Sequence, residues 1–109
     1  MKLQSLRIPS GWKVTYNSFC EIAPPLGLPE EDDMWLFFTQ DLLQIINENK
    51  NIEFMIDLGW IPESDPDGSF HVQVIKNKNW DEPLEEFKSQ DQKMITEKIE
   101  NYLERYSYK

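Results

Sequence analysis

Apolar and polar residues alternate along residues 12–22, and this alternation predicts a β-strand with one buried face. The apolar parity consists of Trp12, Val14, Tyr16, Cys20 and Ile22. Just before this stretch, Pro-Ser-Gly at 9–11 is a turn-forming sequence, and residues 3–8 carry further apolar positions. We therefore predict that residues 3–8 and the strand over 12–22 form a hairpin.

A second alternating stretch covers residues 52–61 and resumes over 70–76. The apolar parity of its first part is Ile52, Phe54, Ile56, Leu58 and Trp60. Between the two parts, Asp-Pro-Asp-Gly at 65–68 favours a turn, because proline presets φ and glycine tolerates a positive φ. These residues predict strands over 52–61 and 70–76 that pair as a second hairpin.

Residues 34–47 are compatible with two kinds of element. Helical spacing is present at Trp35, Phe38, Leu42, Ile45 and Ile46, and proline followed by four acids is a good helix start. The solid apolar runs at 34–38 and 42–46 instead favour strands, with 47–51 as a polar turn into the next strand. We prefer strands here and keep the helix as the alternative.

The last part of the chain predicts an amphipathic helix over roughly 89–106, capped by Ser89 or Asp91. Its apolar stripe consists of Ile95, Ile99, Tyr102, Leu103 and Tyr106. Such a stripe packs most simply on the buried face of a sheet. The sequence therefore predicts an α+β fold: one domain over 1–109, with an antiparallel sheet of four to six strands, built from two hairpins, and a C-terminal helix on one face.

Catalytic and cofactor-binding motifs are sparse. Cys20 is the single cysteine, which excludes an intramolecular disulfide and a cysteine-based zinc site. His71 is the single histidine, and its parity predicts a solvent-facing strand position opposite Phe70 and Val72. With no glycine-rich phosphate loop either, we expect no cofactor and no metal. No apolar run suits a signal peptide or a membrane span, so we expect a cytoplasmic protein.

Acidic residues dominate the charge and concentrate in the predicted loops. The chain has 20 acidic and 11 basic residues, a net charge of −9. That balance opposes direct binding to nucleic acid and to anionic membranes. It fits either solubility alone or attraction to a basic protein partner. Because aromatic anchors inside a charged rim are typical of protein interfaces, the candidate partner-binding residues are Glu30, Glu31, Asp32, Asp33, Trp60, Glu63, Asp65, Asp67, Trp80, Asp81 and Glu82.

Several segments resemble small bacterial immunity proteins, which are encoded beside polymorphic and contact-dependent growth inhibition toxins. They are Ile-Asp-Leu-Gly-Trp-Ile-Pro-Glu at 56–63, Asp-Pro-Asp-Gly at 65–68, Trp-Asp-Glu-Pro-Leu at 80–84 and Gly-Trp-Lys-Val-Thr-Tyr-Asn at 11–17. The resemblance implies a cytoplasmic protein without catalytic residues that binds a cognate toxin domain and blocks it. Many such toxins are nucleases with basic clefts. Two other functions stay open: a cytosolic interaction module without a toxin, and a small hydrolase that uses a carboxylate pair.

Overall fold

The computed structural model describes residues 3–20, 38–49 and 51–107. Five strands form one antiparallel sheet in which spatial order follows chain order. The elements are β1 (Lys13–Asn17), β2 (Leu43–Asn49), β3 (Ile52–Ile61), β4 (Ser69–Lys76), β5 (Glu85–Ser89) and the helix α1 (Gln92–Arg105). The helix packs against the sheet. The predicted α+β class is therefore confirmed.

The two central strands follow the alternation of the sequence closely. β3 has the predicted bounds of 52–61, and β4 begins one residue before the predicted 70. The two strands pair in register from Phe54 opposite Lys76 to Ile61 opposite Ser69. Most of one parity of the two strands is buried, namely Ile56, Leu58, Trp60, Phe70, Val72 and Val74, whereas Ile52 at the start of the predicted parity is 37% exposed. This parity forms the core face of the sheet.

The helix α1 begins at a capped end and buries one stripe. Asp91 is the N-cap, and its carboxylate accepts hydrogen bonds from the backbone N–H groups of Lys93 and Met94 at 2.9 and 3.2 Å. Four residues of the predicted stripe are no more than 1% exposed: Ile95, Ile99, Tyr102 and Leu103. They join the core face in one hydrophobic cluster. The protein core therefore lies between α1 and the sheet.

The predicted first hairpin is wrong. Residues 3–8 form no strand, and within the described residues their backbone meets the second half of the hairpin at an isolated bridge between Leu3 and Cys20, where Gln4 N–H donates to Phe19 O at 2.8 Å. β1 ends at Asn17 and pairs with β2 instead, with an irregular register between Val14 and Tyr16. Of the rest of the predicted strand, 18–20 is not strand, and 21–22 lies outside the described residues.

The predicted buried face of β1 is also wrong. Val14 is 40% exposed and Tyr16 is 48% exposed. One reason is the placement of the helix, whose main contacts are with β3, β4 and β5. The irregular register also breaks the alternation, because Val14 lies opposite the core residue Ile45 whereas Tyr16 lies opposite Gln44 on the other face of the sheet.

The strand interpretation of 34–47 holds in part. Residues 34–37 lie outside the described residues, 38–42 are irregular, and β2 covers 43–49. The irregular segment still runs against β3, because Trp60 N–H donates to Thr39 O at 2.8 Å and Leu42 N–H donates to Leu58 O at 2.9 Å. Gly59 permits this close approach, since a Cβ there would overlap the backbone of Gln40.

The edge strand β5 was not predicted. Three of its five residues are charged, so it lacks the apolar alternation that indicates a strand. A salt bridge ties it to the helix, with Arg105 Nη1 2.6 Å and 2.7 Å from the two carboxylate oxygens of Glu85. Charged residues on an edge strand oppose pairing with other chains. Within the described ranges, no helix is long and apolar enough to cross a membrane.

The contact of α1 with the sheet predicts a strong effect of one substitution. Ile99→Asp places an unpaired carboxylate at a position that is 0% exposed. We expect the free energy of unfolding to fall by about 3 kcal/mol or more, a large part of the stability of a small domain. Urea unfolding followed by circular dichroism measures the change. The matched control is Met94→Asp on the same helix, where the side chain is 49% exposed. Equal stability of the two variants would contradict this packing.

Candidate binding surfaces

The loop between β4 and β5 presents an exposed tryptophan. This segment, residues 77–84, is called the Trp80 loop below. It begins in a tight turn in which Asn77 and Lys78 have φ values of 52° and 60°. Asn77 is fixed on both sides, because its N–H donates to Glu53 O at 2.8 Å and its Oδ1 accepts from Glu53 N–H at 2.8 Å. Leu84 N–H donates to Val74 O at 2.8 Å and closes the loop onto β4.

The Trp80 loop combines apolar area with uncommitted charge. Trp80 is 48% exposed and Leu84 is 45% exposed. Asp81 and Glu82 are exposed beside them. Among the described residues, neither carboxylate takes part in a hydrogen bond or salt bridge. The loop therefore offers an indole surface next to two carboxylates that are free to contact another molecule.

Two of the acidic residues between β3 and β4 accept hydrogen bonds from backbone N–H groups of this protein. Asp65 Oδ1 accepts from Asp67 N–H at 2.8 Å, which is a local turn contact. Glu63 Oε1 accepts from Gln40 N–H at 3.3 Å. Glu63 and Asp67 are exposed, whereas Asp65 is half-buried. Two of the three predicted acids in this loop are thus partly occupied by structural contacts.

The prediction that Trp60 contacts a partner is wrong. Its side chain is 0% exposed and packs edge-on against Phe38 and Phe70, with ring centroids 4.8 and 5.0 Å apart. Its indole N–H donates to Asp65 O at 2.7 Å. Trp60 lies on the core parity of β3, so it is a core residue that also anchors the following loop.

The predicted acidic clusters do not form one site. The loop with Glu63, Asp65 and Asp67 lies at one end of β4, and the Trp80 loop lies at the other. β4 has eight residues, and at about 3.3 Å per residue the two ends are about 23 Å apart. The cluster Glu30, Glu31, Asp32 and Asp33 lies outside the described residues.

A row of polar side chains crosses the sheet on the face opposite α1. Gln44 pairs with Asp57, Asp57 with Gln73, and Gln73 with Glu86 on four neighbouring strands. These four residues are called the polar row below. In strand pairs such opposite residues have Cβ atoms about 4.5–5.5 Å apart. The polar row is a candidate surface that was not predicted from the sequence. The one sequence feature that could have indicated it is Asp57, a charged residue inside the apolar run of β3.

Within the polar row, Asp57 is the residue whose pKa is clearly shifted by its surroundings. The pKa of its carboxyl is raised from 3.8 to about 6, mainly by burial and also by the negative charge of Asp41, while a hydrogen bond from the Gln44 side chain partly offsets the rise. Thr15 Oγ1 donates to Gln44 Oε1 at 3.0 Å, which orients that amide. In the described part of the chain, Asp57 has no salt bridge to a cationic residue.

His71 lies on the same face, as its parity predicted, but it is not solvent-facing. Its side chain is 14% exposed, and its Nε2 is 3.6 Å from Glu86 Oε2. No hydrogen bond from a described residue reaches this buried nitrogen. Among the described residues, no group of three or more histidine, cysteine, aspartate or glutamate side chains is placed to hold a metal ion.

The raised pKa of Asp57 predicts a pH-dependent stability effect. The unfolded carboxyl ionises near pH 3.8 and the folded one near pH 6, so this group lowers stability progressively between these values and most above pH 6. Asp57→Asn should therefore raise the free energy of unfolding at pH 7.5 by about 1 kcal/mol, a figure reduced for solvent screening.

Thermal unfolding at pH 7.5 and pH 3.5 tests this expectation. Most of the gain of Asp57→Asn should be lost at pH 3.5, where the folded carboxyl is protonated and the unfolded one largely so. Glu48→Gln is the matched control, because Glu48 lies on the same face and is exposed. A variant that is less stable than the wild type at pH 7.5 would show that ionised Asp57 supports the fold.

Comparisons with known proteins leave these surfaces as the main evidence on function. No protein-family model matches the chain, and no curated protein or solved structure gives a significant match.

Proposed function

We propose that this chain is an immunity protein, which binds and neutralises a basic bacterial toxin domain without catalysing a reaction. The observation that carries the proposal is the Trp80 loop, where an indole that is 48% exposed stands beside two uncommitted carboxylates. Aromatic residues in an otherwise charged surface are the usual anchors of protein interfaces. The resemblance of residues 56–63 and 80–84 to immunity proteins points the same way.

The charge of the chain supports a basic partner. A net charge of −9 creates a field that attracts a positively charged surface and repels nucleic acid. A nuclease toxin needs a basic cleft for phosphate groups, so an acidic inhibitor complements it. Complementary fields act mainly by raising the association rate. We propose that the protein acts in the cytoplasm. There it binds the toxin before the toxin reaches nucleic acid.

The rigidity of the Trp80 loop supports its role in binding. Backbone hydrogen bonds hold it at both ends, from Asn77 to Glu53 and from Leu84 to Val74. A loop that is ordered before binding loses little conformational entropy when the complex forms. Trp80 can therefore act as a preformed anchor, with Asp81 and Glu82 contacting basic side chains around it.

Gene context separates this proposal from a general interaction module. An upstream gene that encodes the C-terminal end of a large secreted protein supports the toxin partner. A metabolic operon would favour the module without a toxin.

Substitutions in the Trp80 loop test the proposal directly. Reversing the charges with Asp81→Lys and Glu82→Lys should slow association with the toxin domain encoded beside the gene and weaken its dependence on salt. Trp80→Ala should speed dissociation and cost about 2 kcal/mol or more of binding free energy, roughly a 30-fold rise in Kd. Surface plasmon resonance at two salt concentrations and growth during toxin co-expression measure both effects.

A charge-matched double variant on the helix is the control. Glu97→Lys with Glu104→Lys changes the net charge equally, and both residues are exposed on α1. It should leave dissociation unchanged and slow association less than the loop variant does. The opposite result would be that cells with any loop variant grow normally during toxin co-expression, whereas cells with the helix variant do not. That result would place the interface on α1 and contradict the role of the Trp80 loop.

A further inference from the structure

On the face of the sheet opposite α1, some buried polar atoms form no hydrogen bond with a described residue. Three buried side-chain polar atoms in the described part of the chain have no hydrogen bond. Two of them, Glu53 Oε1 and His71 Nε2, lie on this face, because both residues have the parity of Asp57 in the register of β3 and β4. Buried polar atoms normally have partners, so their concentration on one face indicates a surface adapted to polar contacts.

The charge on this face is also uncompensated near its centre. Among the described residues, neither the salt bridge of Arg105 with Glu85 nor the 3.6 Å contact of His71 Nε2 with Glu86 Oε2 includes Asp57. Asp41 adds a second negative charge that acts on Asp57. A half-buried carboxylate beside a like charge is unfavourable for folding, and the hydrogen bond from the Gln44 side chain offsets this only in part. A cationic partner would stabilise the ionised carboxylate further.

We propose that the polar row receives a cationic side chain of the basic partner, with Asp57 as its counter-ion and the amides of Gln44 and Gln73 on either side. This inference rests on the proposed function for the identity of the partner. It adds a second contact, in the middle of the sheet, to the contact made by the Trp80 loop.

The geometry favours an arginine. A guanidinium carries five N–H donors in a planar fork and can bond a carboxylate and a neighbouring carbonyl oxygen together. Thr15 already occupies Gln44 Oε1 and orients the Gln44 amide, whereas the Gln73 side chain forms no hydrogen bond with a described residue. Asp57 and Gln73 thus supply adjacent acceptors. An anion would be repelled by Asp57, and an apolar group would leave the carboxylate without a partner.

The experiment uses a single arginine side chain as the probe. N-acetyl-L-arginine methylamide is titrated into the ¹⁵N-labelled full chain, and amide chemical shifts are followed by NMR. In the wild type we expect saturable shifts at Gln44, Asp57 and Gln73. Asp57→Asn should weaken the fitted affinity at these amides by about fivefold or more, because it removes the counter-ion. The variant is expected to be at least as stable as the wild type, so loss of the fold would not imitate this result.

Glu48→Gln is again the matched control, since it removes the same charge from an exposed position two residues beyond Ile46 on the same face. It should bind the probe as the wild type does. Absence of saturable shifts at the polar row, or equal affinities of wild type and Asp57→Asn, would overturn the inference. The titration contains no toxin, so either result leaves the proposed function to be judged by the variants of the Trp80 loop.

Discussion

The packing of the α1 stripe on one face of the sheet is the contact on which the rest of the structure depends. Ile95, Ile99 and Leu103 are fully buried against the core parity of β3 and β4. A single helix of 14 residues covers only one face, and here it covers β3 to β5. The fold therefore has an asymmetric sheet: one face packs on the helix, and the other carries the polar row together with the buried side chains of Met55 and Ile75.

The fold already uses some of the aromatic and acidic residues and leaves others exposed. Trp60 lies on the core parity and is fully buried, whereas Trp80 lies in a loop beyond the strand and is half exposed. Asp65 bonds its own turn, whereas Asp81 and Glu82 have no such contact. A residue type alone does not indicate a binding role. What distinguishes these residues is whether the side chain is already buried or hydrogen-bonded within the fold.

The sequence predicted those strands and the helix in which the buried side chains form a regular apolar pattern. β3, β4 and α1 were found because one parity or stripe of each is apolar and packs in the core. β5 could not be found this way, since its strand geometry comes from pairing with β4 rather than from burial. The polar row was missed for a related reason: alternation shows which side chains are buried, but register decides which polar side chains on the other parity become neighbours.

Hydrogen–deuterium exchange tests whether a basic protein partner binds through the Trp80 loop. The chain is compared alone and in complex with the basic toxin domain that we propose as its partner. We expect slower exchange in residues 77–84 on binding, with unchanged exchange along the solvent side of α1. Slower exchange restricted to α1, with none in residues 77–84, would contradict it.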